Sequence, residues 1–547
     1  MKLASPSQKA TPLWRIGYIV AVIFLFIMAA YSRFSLPLDS VADADLPGYL
    51  WPALSKLQGN AFVHVNGLNF IYPGMLLATL RTCADFRAIS VVQHLLGLAA
   101  GGLFLLSWNR LADFLPRSPM PRPLHQALGL TGVAVYLFSN TPILLELRIR
   151  VDAICMFLAA LSTWLTLQSI YYRAISPREE KAIIYGVAAL GAAFLTASMK
   201  PSFTLFALFL VLPVLWLWVR SGKRLVFFAA GAALILVIAL PEKLLQRDDP
   251  TSRTFLPRTL FAVHAFIIRA QMERDLQTGA IGSYSREWLQ SACDDLGAAM
   301  QHTDPVYKPF TTLGYHPDYL MKGKNALFSH WAVQLGGEKP LLRFLKYYYW
   351  RSLFHRPLDF GRKIARQLAI FYAPVCPAFA VKGNVPLYRN YIRSATVLSA
   401  PDVHGMIAGF EWGAAYAKRT TDLSATRVVI HEPDGVKVLN GLFARSYVPV
   451  LLVSVVLALS TLWRWRAGLE ERWAAFIVLL LYLANFGNTL GISIVHTMEV
   501  ERYSVVQFSA ALFAQLWAVR WLSELLWRRF RSGNVAHDSD GLGIEHG

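Results

Sequence analysis

The chain has 547 residues, 55% hydrophobic and 16% charged, with a formal net charge of +19 and a mean hydropathy of +0.40. A water-soluble protein of this length carries nearer a quarter charged residues, so a soluble globular fold is excluded. The apolar runs are too long and uniform for membrane-barrel strands, and the basic residues flank those runs, which marks them as topology determinants rather than a nucleic-acid footprint.

Taken in order, Lys2, Lys9 and Arg15 precede an apolar run ending near Tyr31. Ala29-Ala30-Tyr31-Ser32 is a poor cleavage site, so this reads as an uncleaved first span over 14–32. Further spans are expected over 88–108, 124–144, 151–172, 182–199, 202–219, 225–241, 447–464, 473–495 and 503–523. The fold class is thus an all-α polytopic membrane protein with about ten transmembrane helices. With the N-terminus inside, the inner loops hold Arg110, Arg117 and Arg122, then Arg173, Arg178 and Lys181, then Arg220, Lys223 and Arg224, then Arg464, Arg466 and Arg472. Each is basic, as cytoplasmic loops are, and both termini fall in the cytoplasm.

Two segments then lie outside. The first, 34–87, mixes aromatics with prolines in Pro47-Gly48-Tyr49-Leu50-Trp51-Pro52 and around Tyr72-Pro73, which predicts interfacial helices. The second, 242–446, predicts a mainly helical extracytoplasmic insertion. Its one apolar run, 367–375, is short and reaches Pro374, so it reads as an interfacial or core helix rather than a span. The domain division is 1–241, an N-terminal membrane domain; 242–446, a periplasmic insertion; 447–530, a C-terminal membrane domain; and 531–547, a disordered tail. Cysteines 83, 155, 293 and 376 make no disulfide framework; only Cys293 and Cys376 share a segment where a pair could form.

Ionisable groups at span ends carry the chemistry, because they are costly near lipid and usually face a cavity. On the outer side they are Asp43 with Asp45, the run Glu146-Leu147-Arg148-Ile149-Arg150-Val151-Asp152, Lys200 before Pro201, Glu242-Lys243, and His496 to Tyr503. Acids and fixed cations together suit a lipid-borne phosphate ester. Moving a sugar from a polyprenyl phosphate to a hydroxyl needs a carboxylate to take the hydroxyl proton. It also needs cations for the charge that develops on the phosphate oxygen. Each group has a plainer reading: Asp43 and Asp45 as loop acids capping a helix, Arg148, Arg150 and Asp152 as a structural ion pair at a helix start, Lys200 as a snorkelling lysine, Arg502 with Glu499 and Glu501 as a polar hairpin, His496 as a packed histidine. His64 and His94 lie near the same face. No nucleotide-binding motif and no zinc-type Cys/His spacing occurs. No resident cofactor is expected; magnesium or manganese on Asp43-x-Asp45 is the weaker alternative.

In ordering, the sequence resembles the GT-C class of integral-membrane glycosyltransferases. The resemblance rests on the first outer loop with Asp43, Asp45, Tyr49 and Tyr72-Pro73, on Arg148-Ile149-Arg150-Val151-Asp152, on Ser198-Met199-Lys200-Pro201, and on Glu501-Arg502-Tyr503. It implies a polyprenyl-phosphate-sugar donor, a glycan or lipid acceptor, and an inverting single displacement at the periplasmic face of a bacterial inner membrane. Carried over, Asp43 or Asp45 becomes the general base, and Lys200 and Arg502 hold the lipid phosphate, with Arg148, Arg150, Glu501 and His496 as further donor-binding candidates. The long insertion departs from the many family members that carry a C-terminal soluble domain. Two other readings compete. A flippase of lipid-linked saccharide would need no base, and internal repeats are not evident. A polymerase or ligase using a polyprenyl-diphosphate glycan would use arginines late in the chain, such as Arg343, Arg351 and Arg356.

Overall fold

The computed structural model describes residues 12–63, 65, 69–115, 117–247, 255–301, 312–321, 326–379, 383–464 and 468–539. The described chain is almost wholly helical. First come α1 (Pro12–Phe34), α2 (Leu46–Leu57), α3 (Ile71–Cys83), α4 (Arg87–Ala112), α5 (Arg122–Phe138), α6 (Asn140–Leu147), α7 (Asp152–Ile170), α8 (Glu179–Met199), α9 (Thr204–Val219) and α10 (Arg224–Arg247). Among these and the later helices, eight are long and apolar enough to cross a membrane, or nine if α5 and α6, bent by 44°, form one span. The protein is therefore a multi-pass membrane protein, since a helix satisfies its own backbone in lipid. The α5–α6 break has a local cause. Pro142 has no N–H to offer the Phe138 carbonyl, and Ser139 turns extended (φ −66°, ψ 137°).

The later chain supplies α11 (Phe255–Ala262), α12 (Ala265–Thr278), α13 (Arg286–Gln301), α14 (Asp318–Met321), α15 (Leu327–Gln334), α16 (Glu338–His355) and α17 (Pro357–Phe371). Next are β1 (Val385–Pro386), α18 (Leu387–Leu398), α19 (Pro401–Ala408), α20 (Glu411–Ser424) and β2 (Val429–Ile430), with β1 and β2 paired antiparallel. The last helices are α21 (Asp434–Trp463), α22 (Leu469–Val495), α23 (Glu501–Val505) and α24 (Phe508–Ser539). The expected tenth span, 503–523, falls on α23 and α24, which are not among the eight. The reason is a set of buried polar groups there: Gln507, Gln515, Arg520 and Glu524. Arg520 donates to Glu524 at 2.9 Å and to Ser118 at 2.6 Å, so these charges face the bundle. Helix α24 also runs to Ser539, past the expected start of the tail at 531. Extending a formed helix costs far less than nucleating one.

Segment 242–446 divides between two large cores, and Leu387, Tyr391 and Ile430 join a smaller cluster with Val41, Ile143 and Leu147. Residues from Phe261 to Phe360 make their own aromatic-rich core around Trp331, Phe344 and Tyr348. From Phe371 onward, Cys376, Phe379, Val403, Ile407 and Tyr416 join the main core of the membrane helices. Cys293 and Cys376 are both free, and sit in those separate cores. Helix α17, which contains most of the apolar run, packs on α22, and Tyr372 just beyond it lies 6.4 Å from the Phe486 ring.

Candidate functional site

The Asp43/Asp45 loop leaves α1 as an extended strap. Val41 donates its N–H to Leu147 O (2.8 Å) and accepts from Ile149 N–H (3.1 Å). This short parallel bridge fixes Asp43 and Asp45 beside Arg148 and Arg150. Asp45 directly precedes α2, where Pro47 sits in the first turn without wasting a donor. On another side, Pro201 restricts Lys200 to an extended backbone (φ −143°, ψ 102°), which ends α8 and turns the lysine toward the start of α7. The start of α7, the end of α8, the end of α22 and the start of α23 thereby gather at one end of the bundle.

At that end lies a charge network. Arg150 Nη1 is 2.8 Å from Asp43 Oδ2, Arg150 Nη2 donates to Asp45 Oδ2, and Arg150 Nε is 3.7 Å from Asp152. Lys200 Nζ donates to Asp152 Oδ1 at 2.5 Å. Arg502 Nη1 donates to Asp45 Oδ2 at 2.7 Å, and its Nη2 to the Tyr503 hydroxyl at 3.1 Å. The Tyr503 ring meets both cations, Lys200 at 5.3 Å and Arg502 at 4.9 Å from its centroid. The His496 ring packs against the same tyrosine, with centroids 4.5 Å apart. Arg148 is half-buried; among the described residues no carboxylate lies within ion-pair distance of it, and its Nη2 donates to Asn390 at 3.4 Å. Glu501 is exposed at the first turn of α23 and acts electrostatically on Arg148.

The two strap acids are not equivalent. Asp45 Oδ2 is shared by two guanidinium groups. Asp43 Oδ1 accepts the Asp45 N–H at 2.9 Å, but its Oδ2 has no hydrogen-bond donor. The Arg150 contact at that oxygen is close but off the hydrogen-bond direction, so the oxygen is buried beside an ionic neighbour without a hydrogen bond. Burial raises the Asp43 carboxyl above its ordinary value; the Arg150 guanidinium opposes the rise and the Asp45 carboxylate adds to it. A carboxylate with a raised pKa and one oxygen free of hydrogen bonds is equipped to accept a proton.

Beneath the network is a second buried cluster. Arg33 donates to Glu146 through Nε (2.7 Å) and Nη2 (3.0 Å), and His94 Nδ1 lies 2.8 Å from the same carboxylate. All three side chains are fully buried. Gln93 Nε2 donates to the carbonyls of Glu146 (2.8 Å) and Arg148 (2.9 Å), and Tyr72 donates to Gln93 Oε1 (3.1 Å). These contacts pin the Glu146–Arg150 run from below. Farther in, an apolar cavity lined by Phe104, Tyr136, Ala160, Phe206, Leu481 and Phe513 lies among α4, α5, α7, α9, α22 and α24.

Of the expected outer groups, Asp43, Asp45, Arg148, Arg150, Asp152, Lys200, Arg502 and Tyr503 come together, with His496 and Glu501 at the margin. Three acids go elsewhere: Glu146 into the buried cluster with Arg33 and His94, Glu242 to Phe70 N–H (2.9 Å), and Glu499 to Thr312 N–H (2.9 Å). His64 lies outside the described residues. Arg351 pairs with Asp275 at 2.6 Å and Arg356 donates to Ala270 O at 2.8 Å, both within the separate insertion core. Sequence reasoning missed Arg33, which ends an apolar span and carried no motif, and Asn390, which lies in a polar stretch with no chemical signature. Among the described residues, no group of three or more His, Cys, Asp or Glu is arranged to hold a metal ion.

No family model matches the chain, and neither a curated protein nor a solved structure matches it.

Proposed function

We propose that the protein is a membrane glycosyltransferase of the GT-C type, moving a sugar from a polyprenyl-phosphate donor to a glycan or lipid acceptor at the periplasmic face of a bacterial inner membrane. The observation that carries this reading is the buried Asp43 Oδ2 that lacks a hydrogen bond, held against Arg150 with Arg148 and Arg502 in the same network. Asp43 takes the acceptor hydroxyl proton as the new glycosidic bond forms, and the phosphate leaves from the opposite side of the anomeric carbon. Asp45 holds Arg150 and Arg502 in place. Arg148 and Arg502 receive the phosphate, because Lys200 is buried against Asp152 whereas Arg502, though paired with Asp45, keeps part of its guanidinium accessible. A divalent cation at Asp43 and Asp45 would share their oxygens with Arg150 and Arg502. The arginines named for a polymerase are tied up in the insertion core at 351 and 356, which favours the transferase.

The test is transfer of a labelled sugar from a synthetic polyprenyl phosphate by purified protein, with and without EDTA. Asp43→Asn is expected to abolish transfer with donor binding intact, and Asp45→Asn to weaken donor binding. Full activity of both variants would move the polymerase reading ahead. Lipid-linked sugar crossing vesicles without any transfer would establish the flippase instead.

A further inference from the structure

The strap that carries Asp43 is bonded along both edges. On one edge Val41 pairs with Leu147 and Ile149. The other edge is met by side chains of α18 and α20, about 350 positions later. Tyr391 donates its hydroxyl to Asp39 O at 2.7 Å, Tyr416 to Ser40 O at 2.6 Å, and the Ala42 N–H donates to Ser394 Oγ at 2.9 Å. Arg419 adds a contact to Asp39 Oδ1 at 2.7 Å and to Asp85 Oδ1 at 3.0 Å. Tyr391 and Ser394 are fully buried, as is Tyr416, whose ring stacks on Phe86 with centroids 4.1 Å apart.

We propose that α18 and α20 form a brace for the acid-bearing strap, with Tyr391, Ser394 and Tyr416 as positioning residues that set Asp43 against Arg148 and Arg150. Asp39, Ser40 and Ala42 are each bonded to the brace, while between them Val41, on the opposite edge, joins the strap to the loop of the two arginines. Base and cations thus share one ribbon whose spacing the brace fixes from outside. The strap lies in no helix, and its local bonds are confined to the turn at Asp43; its 39–42 part depends on these longer-range bonds and on Ser40, which donates to Phe86 O or shares a bond with Ser90. An insertion that joins the main core only from Phe371 onward has this as one definite task. The catalytic consequence rests on Asp43 being the base; the mechanical one does not.

The test uses the full chain in lipid nanodiscs, with Tyr391→Phe, Tyr416→Phe and Ser394→Ala made singly and together. Each change removes a bonding group and keeps the rest of the side chain. Hydrogen exchange is followed over 39–46, with peptides of α4 and α22 as controls, and transfer is measured in parallel. The combined variant is expected to exchange its strap amides about tenfold faster with control peptides unchanged. The turnover number should fall about tenfold or more, with the donor KM within about twofold, because a misplaced base slows chemistry rather than binding. Unchanged strap exchange overturns the brace. Faster exchange with wild-type turnover overturns the positioning role. If the combined variant loses control-peptide protection, the single variants decide by the same two criteria. If wild type transfers no sugar, the glycosyltransferase reading fails by itself, and strap exchange alone decides the brace.

Discussion

Arg502 Nη1 lies 2.7 Å from Asp45 Oδ2, although 457 positions separate the two residues in the chain. The pair closes the network on its exposed side, with 27% and 34% of the two side chains accessible. A partly solvated pair contributes little to stability, about 1 kcal/mol at most. Arg502→Gln is therefore expected to leave thermal unfolding in detergent nearly unchanged. Transfer should fall about a hundredfold if Arg502 stabilises developing phosphate charge. A collapse of the melting temperature with proportionate loss of activity would make the residue structural.

The deeper cluster behaves in the opposite way. Arg33, Glu146 and His94 have fully buried side chains, and Arg33 depends on Glu146 for its counter-charge. Glu146→Gln strands a guanidinium away from water, at a cost of about 3–5 kcal/mol. Denaturation in mild detergent should register this as a large loss of stability. A near-neutral result would mean that water reaches the cluster.

Gly97 tests the same contact sterically. A Cβ there would stand 2.0 Å from Glu146 Oε1 and 2.4 Å from its Cδ. That carboxylate cannot swing aside without releasing Arg33 and His94. Gly97→Ala is expected to destabilise by about 1–3 kcal/mol. Gly102→Ala, on the same helix with no atom within 4 Å, should be neutral or stabilising by up to about 1 kcal/mol. Equal melting temperatures for the two variants would contradict this packing.

Asp43 gives a pH signature. Its carboxyl is raised by burial, so its ionised form appears only above the ordinary aspartate range of about 4. The acid limb of kcat/KM for transfer should therefore lie above that value. Stability carries the same sign: a raised folded-state pKa gives a contribution present below the unfolded value and lost as pH rises through the folded one. Stability profiles of wild type and Asp43→Asn should diverge over that window and run parallel elsewhere. Profiles parallel throughout would mean that Asp43 ionises as a solvated acid.

The split of the insertion shows where sequence patterning loses its reach. Both halves are amphipathic helices between turns, and nothing local distinguishes a helix that packs on its own neighbours from one that packs on a distant span. Trp331 and Phe344 find each other in one core, while Phe371 and Cys376 join another. Lys200 teaches the same lesson at one residue. Its backbone turn was legible from Pro201, but its buried partner Asp152, 48 positions away, was not.

The sequence by itself determined that the chain is helical and crosses a membrane many times, because unbroken apolar runs of span length leave the backbone no other partner in lipid. It also determined which charged groups stand at span ends, since an ionisable residue between two apolar runs has nowhere else to go. Only the tertiary structure decided that Asp45 belongs to Arg502, that one Asp43 oxygen is buried without a hydrogen bond, and that Tyr391, Ser394 and Tyr416 bond to the strap. Those facts depend on atoms brought within about 3 Å across hundreds of residues, a distance set by the packing of whole helices rather than by the local run of side chains.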